Sequence, residues 1–332
     1  MKVLLLGATG LLGHNVVRRL SAEGCGVVAL VRRAGRLGEE GCMCEVKEGR
    51  PTDYEVLRSA ASGCDAVVNC AGNADMSHLR QSDYYEANVL LPKMIARLVA
   101  EGAVERVVHV SSVDTIGYGS ADAPADESAP MRSPFAESLY ARSKREGECV
   151  LLKAAADHPT AHIVVVNPGF MIGPCDVGPS SGRMLLYAYR RRVVAAPGGG
   201  KAFVDVRDVS QAVVAAIEKG KSGGRYIVAN GDGCFSLKRL FELQAEVMGY
   251  RQHVLVMPDW LLLAAAKAGD LLREAGVRTQ LSTTNVRQLL VSEHYDNSQG
   301  IKELGYAQSP IGQAIADFHQ WRNENKTRYA KD

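Results

Sequence analysis

The chain has eight cysteines in 332 residues but no C-x-x-C pair among Cys25, Cys42, Cys44, Cys64, Cys70, Cys149, Cys175 and Cys234. Cys25, Cys64, Cys70 and Cys149 fall in patterned, half-buried segments. The set reads as reduced thiols of a cytoplasmic protein rather than as a disulfide framework. His158 and His162 are close in sequence, but Pro159 lies between them and no Glu does, so no metal site is read there. Charge of one sign is not in excess. Lys+Arg 39 against Asp+Glu 37 leaves a net of +2, which offers nucleic acid no electrostatic footprint. No apolar run has the length to span a bilayer. The N-terminus has one Lys and a few apolar residues before its first glycine, and it lacks the apolar core of a secretory signal. Internal repeats and low-complexity segments are also missing. What remains, at 46% hydrophobic, has ample core for one large domain or two unequal ones, acting on a small molecule with no nucleic-acid or membrane partner.

What is there begins at the N-terminus. Val3 to Leu6 reads as a buried strand, Gly7, Gly10 and Gly13 follow with Thr9 inside, and a helix shows Leu12, Val16, Val17 and Leu20 on one face. Strand, glycine turn and helix form a phosphate cradle. Backbone N–H groups and the helix dipole favour an anion there, and glycines let a pyrophosphate approach the backbone. Gly7, Thr9, Gly10, Leu11, Leu12 and Gly13 are therefore the candidate dinucleotide contacts. Cys25 to Val31 reads as a second buried strand. An acid at its end would hold the 2′-OH of NAD; Arg32 and Arg33 stand there instead, and arginine can hold a 2′-phosphate. NADP is the expected cofactor and NAD the alternative. A further strand ends at Asn69, and the small residues Cys70, Ala71 and Gly72 suit a backbone passing against the cofactor. A helix opening at Tyr84 is apolar at Leu91, Ile95, Leu98 and Val99. Asn88 near its start has two readings, a cap or kink satisfier and a catalytic group.

Arg106 to Ser112 reads as the fifth strand, ending on two serines, and a polar loop follows from Gly117 to Pro134. Tyr140 and Lys144 then enter a helix about one turn apart, on one face. A free phenol titrates near pH ~10, too high for acid–base work at neutrality, and an adjacent ammonium favours the phenolate.

The G-x-x-G-x-x-G turn after a strand, the strand-end Ser112 and the Tyr140-x-x-x-Lys144 pair together resemble the short-chain dehydrogenase/reductase superfamily, especially its extended branch. The resemblance implies an α/β fold, a Rossmann-type doubly wound parallel sheet with a smaller, mostly helical C-terminal substrate domain. It places the NAD(P)-binding domain at 1–167 and 203–230 and the substrate domain at 168–202 and 231–332. It assigns Ser112 to the substrate oxygen, Tyr140 to proton transfer, Lys144 to the tyrosine and the nicotinamide ribose, and Asn88 to the catalytic set. His162 to Gly169 would be the sixth strand, followed by Phe170 to Pro174. Pro168, Gly169 and Met171 then lie where the chain passes the nicotinamide. Gly198 to Asp208 matches the strand-to-helix return and Arg225 to Ala229 a later strand, and sparse matches recur to about Trp321, as at Gly305-Tyr306. The family's usual Gly-Asp-Leu-Thr-Asp is Gly49-Arg50-Pro51-Thr52-Asp53 here, which removes an adenine-side Asp. A homodimer through helices near 88–101 and 140–156 is also implied.

Two departures narrow the reaction. Sugar dehydratases carry Thr-Asp-Glu where this chain has Ser112-Val113-Asp114. The arginine that many nucleotide-sugar enzymes use for the diphosphate is Lys201, which lacks the bidentate fork. Both point to a carbonyl reductase similar to the dihydroflavonol 4-reductases. An NAD-dependent nucleotide-sugar epimerase or a 3-hydroxysteroid-type dehydrogenase is the alternative. A non-catalytic NADP-binding sensor or scaffold is another, against which the intact Ser112, Tyr140 and Lys144 argue. Arg190-Arg191-Arg192 is expected on a solvated helix face rather than on an anionic substrate. The apolar run from Pro258 to Leu272, with only Lys267 and Arg273 as bases, could be a lid or a membrane-surface helix, and packing of the smaller domain is the expectation.

Overall fold

The computed structural model describes residues 1–178, 180–231 and 234–325. Seven strands, β1 (Lys2–Leu6), β2 (Gly26–Val31), β3 (Glu45–Glu48), β4 (Ala66–Asn69), β5 (Arg106–Val110), β6 (His162–Pro168) and β7 (Arg225–Val228), form one sheet in the order β7-β6-β5-β4-β1-β2-β3. Every pairing in it is parallel. The runs that predict the inner strands are Val-, Leu- and Ile-rich without alternation, as strands covered on both faces require. The edge strand β3 escapes that reading because Glu-Val-Lys-Glu carries one apolar residue and is half solvated.

Helices α1 (Leu11–Ala22) and α5 (Val206–Ala215) cover one face, where Val16, Val17, Leu20 and Val213 share a core with β1 and β2. Helices α2 (Tyr54–Ala61), α3 (Leu91–Ala100) and α4 (Leu139–Asp157) cover the other, where Leu57, Ile95, Leu98 and Leu151 meet Leu4, Leu6 and Ile163. Strand order reverses between β1 and β4. The crevice at the C-terminal ends of these two strands is the place where such sheets receive ligands. Helix α3 is entered through a short helical turn, Ser82–Tyr85, and a π-helical turn, Glu86–Leu90, that carries Asn88. The π turn lies directly against α4: a Cβ on Gly147 would sit 2.0 Å from the Asn88 carbonyl oxygen.

A second core lies outside the sheet. Leu185, Leu237, Phe241, Ile315 and Phe318 join Ile172 and Phe203 between the helices Gly182–Ala188, Leu237–Val247 and Ile311–Glu324. These helices come from the stretches 168–202 and 231–332, where a smaller domain is expected, but parts of the same stretches pack on the sheet. Ser298–Leu304 and Tyr306 return to the sheet, where Leu304 and Tyr306 are core residues and the Tyr306 hydroxyl donates to the Ala229 carbonyl at 3.2 Å. Residues 179, 232, 233 and 326–332 of that expected domain lie outside the described residues.

Three expectations change. The apolar run from Pro258 is a helix, Asp259–Glu274, but it does not pack the smaller domain with its apolar side: only Ala266 and Gly269 are buried, and Trp260 is 71% exposed. Arg190, Arg191 and Arg192 follow the C-cap Tyr189 in a turn, so they are solvated but not on a helix face. Cys149 is exposed rather than half-buried, because it falls on the outer side of α4; all eight cysteines are free thiols. No described helix is long and apolar enough to cross a membrane.

The α3–α4 contact leads to a stability test. Gly147→Ala forces two helices apart at a packed crossing, at a cost of about 1–3 kcal/mol. Thermal unfolding of this variant is expected several degrees below wild type. Gly35→Ala, where a Cβ meets nothing within 4 Å, is expected to stay at the wild-type midpoint.

Candidate active site

The glycine turn shows a division of labour. Gly7 has φ +80°, and a Cβ there would stand 2.5 Å from the Ala71 nitrogen, so the turn packs on the exit of β4. A Cβ on Gly13 would stand 2.1 Å from the Gly7 oxygen, so α1 sits directly on the turn. Gly10 is exposed, and a Cβ there would meet nothing nearer than the Gly7 oxygen at 3.5 Å. It is the N-cap of α1, with no side-chain cap and no acid in the first turn. Two glycines thus close the backbone on itself, and the third leaves an open, electropositive helix end facing the crevice. That end, with Thr9, Leu11 and Leu12 beside it, fits the pyrophosphate of a dinucleotide. Arg32 and Arg33, at the end of β2, are exposed and have no acidic partner among the described residues. Glu48, on the neighbouring strand, accepts from the Ala34 N–H at 2.5 Å.

Past β4 the chain turns on Asn69, whose Oδ1 accepts from the Ala71 N–H at 3.1 Å and whose Nδ2 lies 3.1 Å from His109 Nδ1. Burial pushes the Cys70 thiol up to about 12, so it is an inert lining group. A Cβ on Gly72 would be 3.4 Å from both Asn88 Oδ1 and Lys144 Nζ. Here Asn88 finds its place. Its Nδ2 donates to the Asn73 carbonyl at 3.0 Å and to Ser143 Oγ at 2.8 Å, and its Oδ1 accepts from the Asn73 N–H at 2.8 Å. The amide is fully used inside the protein. It clamps the loop after β4 to α4, which favours the structural one of its two readings.

Ser112 lies just beyond β5, which ends at Val110 rather than on the serines. Its Oγ caps the turn Val113–Thr115, accepting from the Asp114 N–H at 3.2 Å, and the hydroxyl lies close enough to the Tyr140 phenol to favour its ionised form. Tyr140 stands in the first turn of α4, which Ser138 caps. Burial pushes the phenol well above its usual value and the Asp114 charge pushes it further, while the Ser112 hydroxyl acts the other way. Lys144 does not act on the tyrosine in this arrangement. Its ammonium donates to the Val110 carbonyl at 2.7 Å, and burial lowers it to about 8 against the attraction of Glu148. The expected lowering of the tyrosine by the lysine is therefore not visible here, because the ammonium is turned to the strand end beside Gly72. Pro168 is buried at the end of β6. Gly169 backs onto the Ala202 oxygen, 2.2 Å from where its Cβ would be, and Met171 is half-buried beside them.

Two groups escape a sequence reading. Glu148, fully buried one turn beyond Lys144, accepts on Oε2 from Ser111 Oγ, Thr115 Oγ1 and Asn167 Nδ2 at 2.7, 2.8 and 2.9 Å. Its Oε1 pairs with Arg145 at 2.5 Å and with Arg225 at 2.8 Å. Asn167 also donates to the Ser112 carbonyl at 3.1 Å, so this carboxylate fixes the serine turn. The visible signal was the continuing four-residue repeat Tyr140, Lys144, Glu148. The second group is the buried Lys201–Glu293 ion pair, with Asp114 also acting on the lysine. Burial raises both carboxyls, and the Tyr295 hydroxyl donates to the Val113 carbonyl at 3.4 Å. Lys201 is thus already neutralised and is not a free cation for a diphosphate.

A cavity of about 180 Å³ opens on Tyr140, lined also by His78, Tyr84, Ser138, Asp270 and Arg273. Arg273 closes one side: Nη1 donates to the Thr279 carbonyl at 2.6 Å and Nη2 to the His78 carbonyl at 2.5 Å, strapping the loop after β4 to the C-terminal helices. Asn285 Nδ2 adds a bond to the Met76 carbonyl at 3.1 Å. The arrangement presents the Tyr140 phenol to a partly open cavity, with Ser112 behind it.

The lowered lysine gives a pH test. Below about 8 the folded protein carries this ammonium at a cost; between 8 and 10.5 it releases the proton before the unfolded chain does, so stability rises with pH in that window. Lys144→Met removes the cost. Its thermal midpoint is expected above wild type near pH ~7, with the gap closing between pH 8 and 10.5. A variant no more stable than wild type at any pH contradicts this.

The NAD dependent epimerase/dehydratase family matches residues 3–229, the span from β1 through β7. A putative dihydroflavonol 4-reductase of Synechocystis sp. is 31% identical over 330 residues, covering 95% of this chain and 92% of that protein. Sterol demethylase protein B of Methylococcus capsulatus is 29% identical over 331 residues, covering 98% and 99%. The crystal structure of gox2253 matches with a TM-score of 0.82 at 26% identity, over 97% of this chain and 98% of that one. With the cradle, the switch-point crevice and the matched span in agreement, the chain belongs to the NAD-dependent epimerase/dehydratase family of extended short-chain dehydrogenase/reductases and is an NAD(P)-dependent oxidoreductase.

Proposed function

We propose that the protein is an NADP-dependent reductase of a small organic aldehyde or ketone. The observation that carries this reading is the Tyr140 phenol on the wall of a cavity, with Ser112 close enough to act on that phenol and Lys144 one turn along α4. The pyrophosphate would lie on the open N-terminus of α1 at Gly7, Thr9, Gly10, Leu11, Leu12 and Gly13. Cys70, Ala71, Gly72, Pro168, Gly169 and Met171 would line the path of the nicotinamide half. The nicotinamide, when bound, supplies the hydride. Ser112 donates to the substrate oxygen as charge develops there, and Tyr140 delivers the proton. Lys144 holds its own charge beside Gly72, where it can bond the ribose and favour the phenolate once turned from Val110. Arg273 and the loop it straps keep water from the reacting carbonyl.

Reduction is favoured over nucleotide-sugar chemistry by two features. Lys201 is spent on Glu293, and Val113 cannot supply a second acid–base group after Ser112. NADP is favoured because Arg32 and Arg33 are free at the end of β2, and Glu48 is engaged by the backbone.

Two measurements check this. Across a panel of aldehydes and ketones, Tyr140→Phe is expected to lower kcat by about 10²–10⁴-fold with cofactor affinity retained; near wild-type turnover contradicts the mechanism. Replacing Arg32 and Arg33 by Ser is expected to raise KM for NADPH by about tenfold or more and to leave KM for NADH within about twofold. A wild-type preference for NADH overturns the cofactor assignment.

A further inference from the structure

The turn Val113–Thr115 leaves one side chain without a partner. Its backbone is held on both sides. Ser112 Oγ accepts from the Asp114 N–H at 3.2 Å, the Thr115 N–H donates to the Ser112 carbonyl at 3.2 Å, and the Tyr295 hydroxyl donates to the Val113 carbonyl at 3.4 Å. Val113 and Thr115 are 3% and 1% exposed. Asp114 between them is only half-buried, and its carboxylate accepts no hydrogen bond among the described residues. The position is close to the reacting groups. Asp114 is two residues from Ser112, and its charge reaches the Tyr140 phenol. Lys201, Glu293 and Tyr295 feel the same charge. Lys201 does not satisfy it, because its ammonium is paired with the buried Glu293, 5.2 Å from the centre of the Phe135 ring in the turn that leads into α4. Two carboxylates thus share one ammonium, and the inaccessible one holds it.

We propose that Asp114 selects the substrate by accepting a hydrogen bond from a hydroxyl on the carbon beside the reacting carbonyl, so that α-hydroxy aldehydes and ketones are reduced in preference to unsubstituted ones. A carboxylate that a bound substrate strips of water without offering a donor costs free energy, so the missing donor has to come with the substrate. Lys201 decides which donor. Its charge already lies within reach of Asp114 and repels a second cation, whereas a neutral O–H gains the charge-assisted bond without that penalty. The chain decides where the donor sits. Ser112 and Tyr140 address the carbonyl oxygen, and Asp114 hangs from the turn that Ser112 caps. A site built to bond a hydroxyl discriminates strongly against the analogue that lacks it, because the acceptor is then left unpaired. The reaction itself is unchanged: hydride goes to the carbonyl carbon, the Tyr140 proton to its oxygen, and a 1,2-diol leaves with the oxidised cofactor. The inference rests on the reductase reading of the same site.

The test uses the full chain with NADPH and compares hydroxyacetone with butanone, which carries a methyl group where the hydroxyl stands. The wild type is expected to show kcat/KM about 10–100-fold higher for hydroxyacetone. In Asp114→Leu, which has no acceptor, this ratio is expected to fall by about tenfold or more, a comparison that removes the intrinsic difference between the two carbonyls. Asp114→Asn keeps an acceptor without the charge, and its ratio is expected between the two. The ratio is the readout because any effect of the Asp114 charge on Tyr140 bears on both ketones alike. The Asp114 carboxylate holds no other group, so thermal midpoints near wild type are expected; the asparagine variant decides the matter where the leucine variant does not fold. Equal efficiency of the wild type on both ketones overturns the assignment and spares the reductase reading, as does a ratio that neither variant changes. Reduction of neither ketone by protein that binds NADPH overturns the reductase reading and this assignment with it. A preference for aminoacetone over hydroxyacetone that Asp114→Leu abolishes gives the carboxylate to a cation and overturns the hydroxyl assignment.

Discussion

The buried carboxylate of Glu148 holds the working end of this molecule together. One side chain on α4 gathers the exit of β5 through Ser111 and Thr115, the end of β6 through Asn167, and the start of β7 through Arg225. The helix that reaches these three strands carries Tyr140 and Lys144 on the preceding two turns. Serine and tyrosine are therefore brought to the same region because one carboxyl group fixes the elements that bear them. A carboxylate so placed is not there for stability alone, since a buried ion pair does little better than well-packed apolar side chains of similar volume. Removing one partner, however, typically costs about 3–5 kcal/mol. What it provides here is register between a helix and three strands.

The same dry environment sets the chemistry. Tyr140 is pushed up and Lys144 down by burial, in each case toward the neutral form. The attraction of Glu148 partly offsets the cost of the Lys144 ammonium, and Ser112 partly offsets that of the phenolate. The two groups then differ in their partners. Lys144 has a backbone carbonyl to hold it beside Gly72. Tyr140 has a serine that favours its ionised form and an Asp114 charge that opposes it, so the phenol stays protonated. Asn88 stands apart from both: its three bonds make it a fixed strut between the β4 loop and α4.

How legible this was in the sequence depends on range. The cradle could be read because all its parts lie within Lys2 to Leu20, and the Tyr140–Lys144 pair because a helix puts residues four apart on one face. The sheet could be read from its apolar runs, apart from β3, whose charged edge hides it. Glu148 could not be read as a hub, since its partners are reached only after β6 and β7 fold back on α4. Lys201 looked like a free cation until the fold brought Glu293 to it from 92 residues away. The run from Pro258 shows the limit most clearly. Periodicity reveals that a helix has an apolar side, but which side faces the protein is decided by Arg273, Asp270 and Gly269, whose partners are loop carbonyls and caps that no pattern announces.

That helix also explains why the fold tolerates an outward apolar face. The loops around the Tyr140 cavity present carbonyls that need donors, and Arg273 satisfies carbonyls of the β4 loop and of Thr279 at once. Turning the helix to bury Trp260 and Leu271 would lift the guanidinium out of that strap and leave those carbonyls unpaired beside the cavity, at a cost of about 1–3 kcal/mol for each buried group left without a partner. The polar requirement of the cavity thus outweighs the apolar preference of the outward face within the single chain.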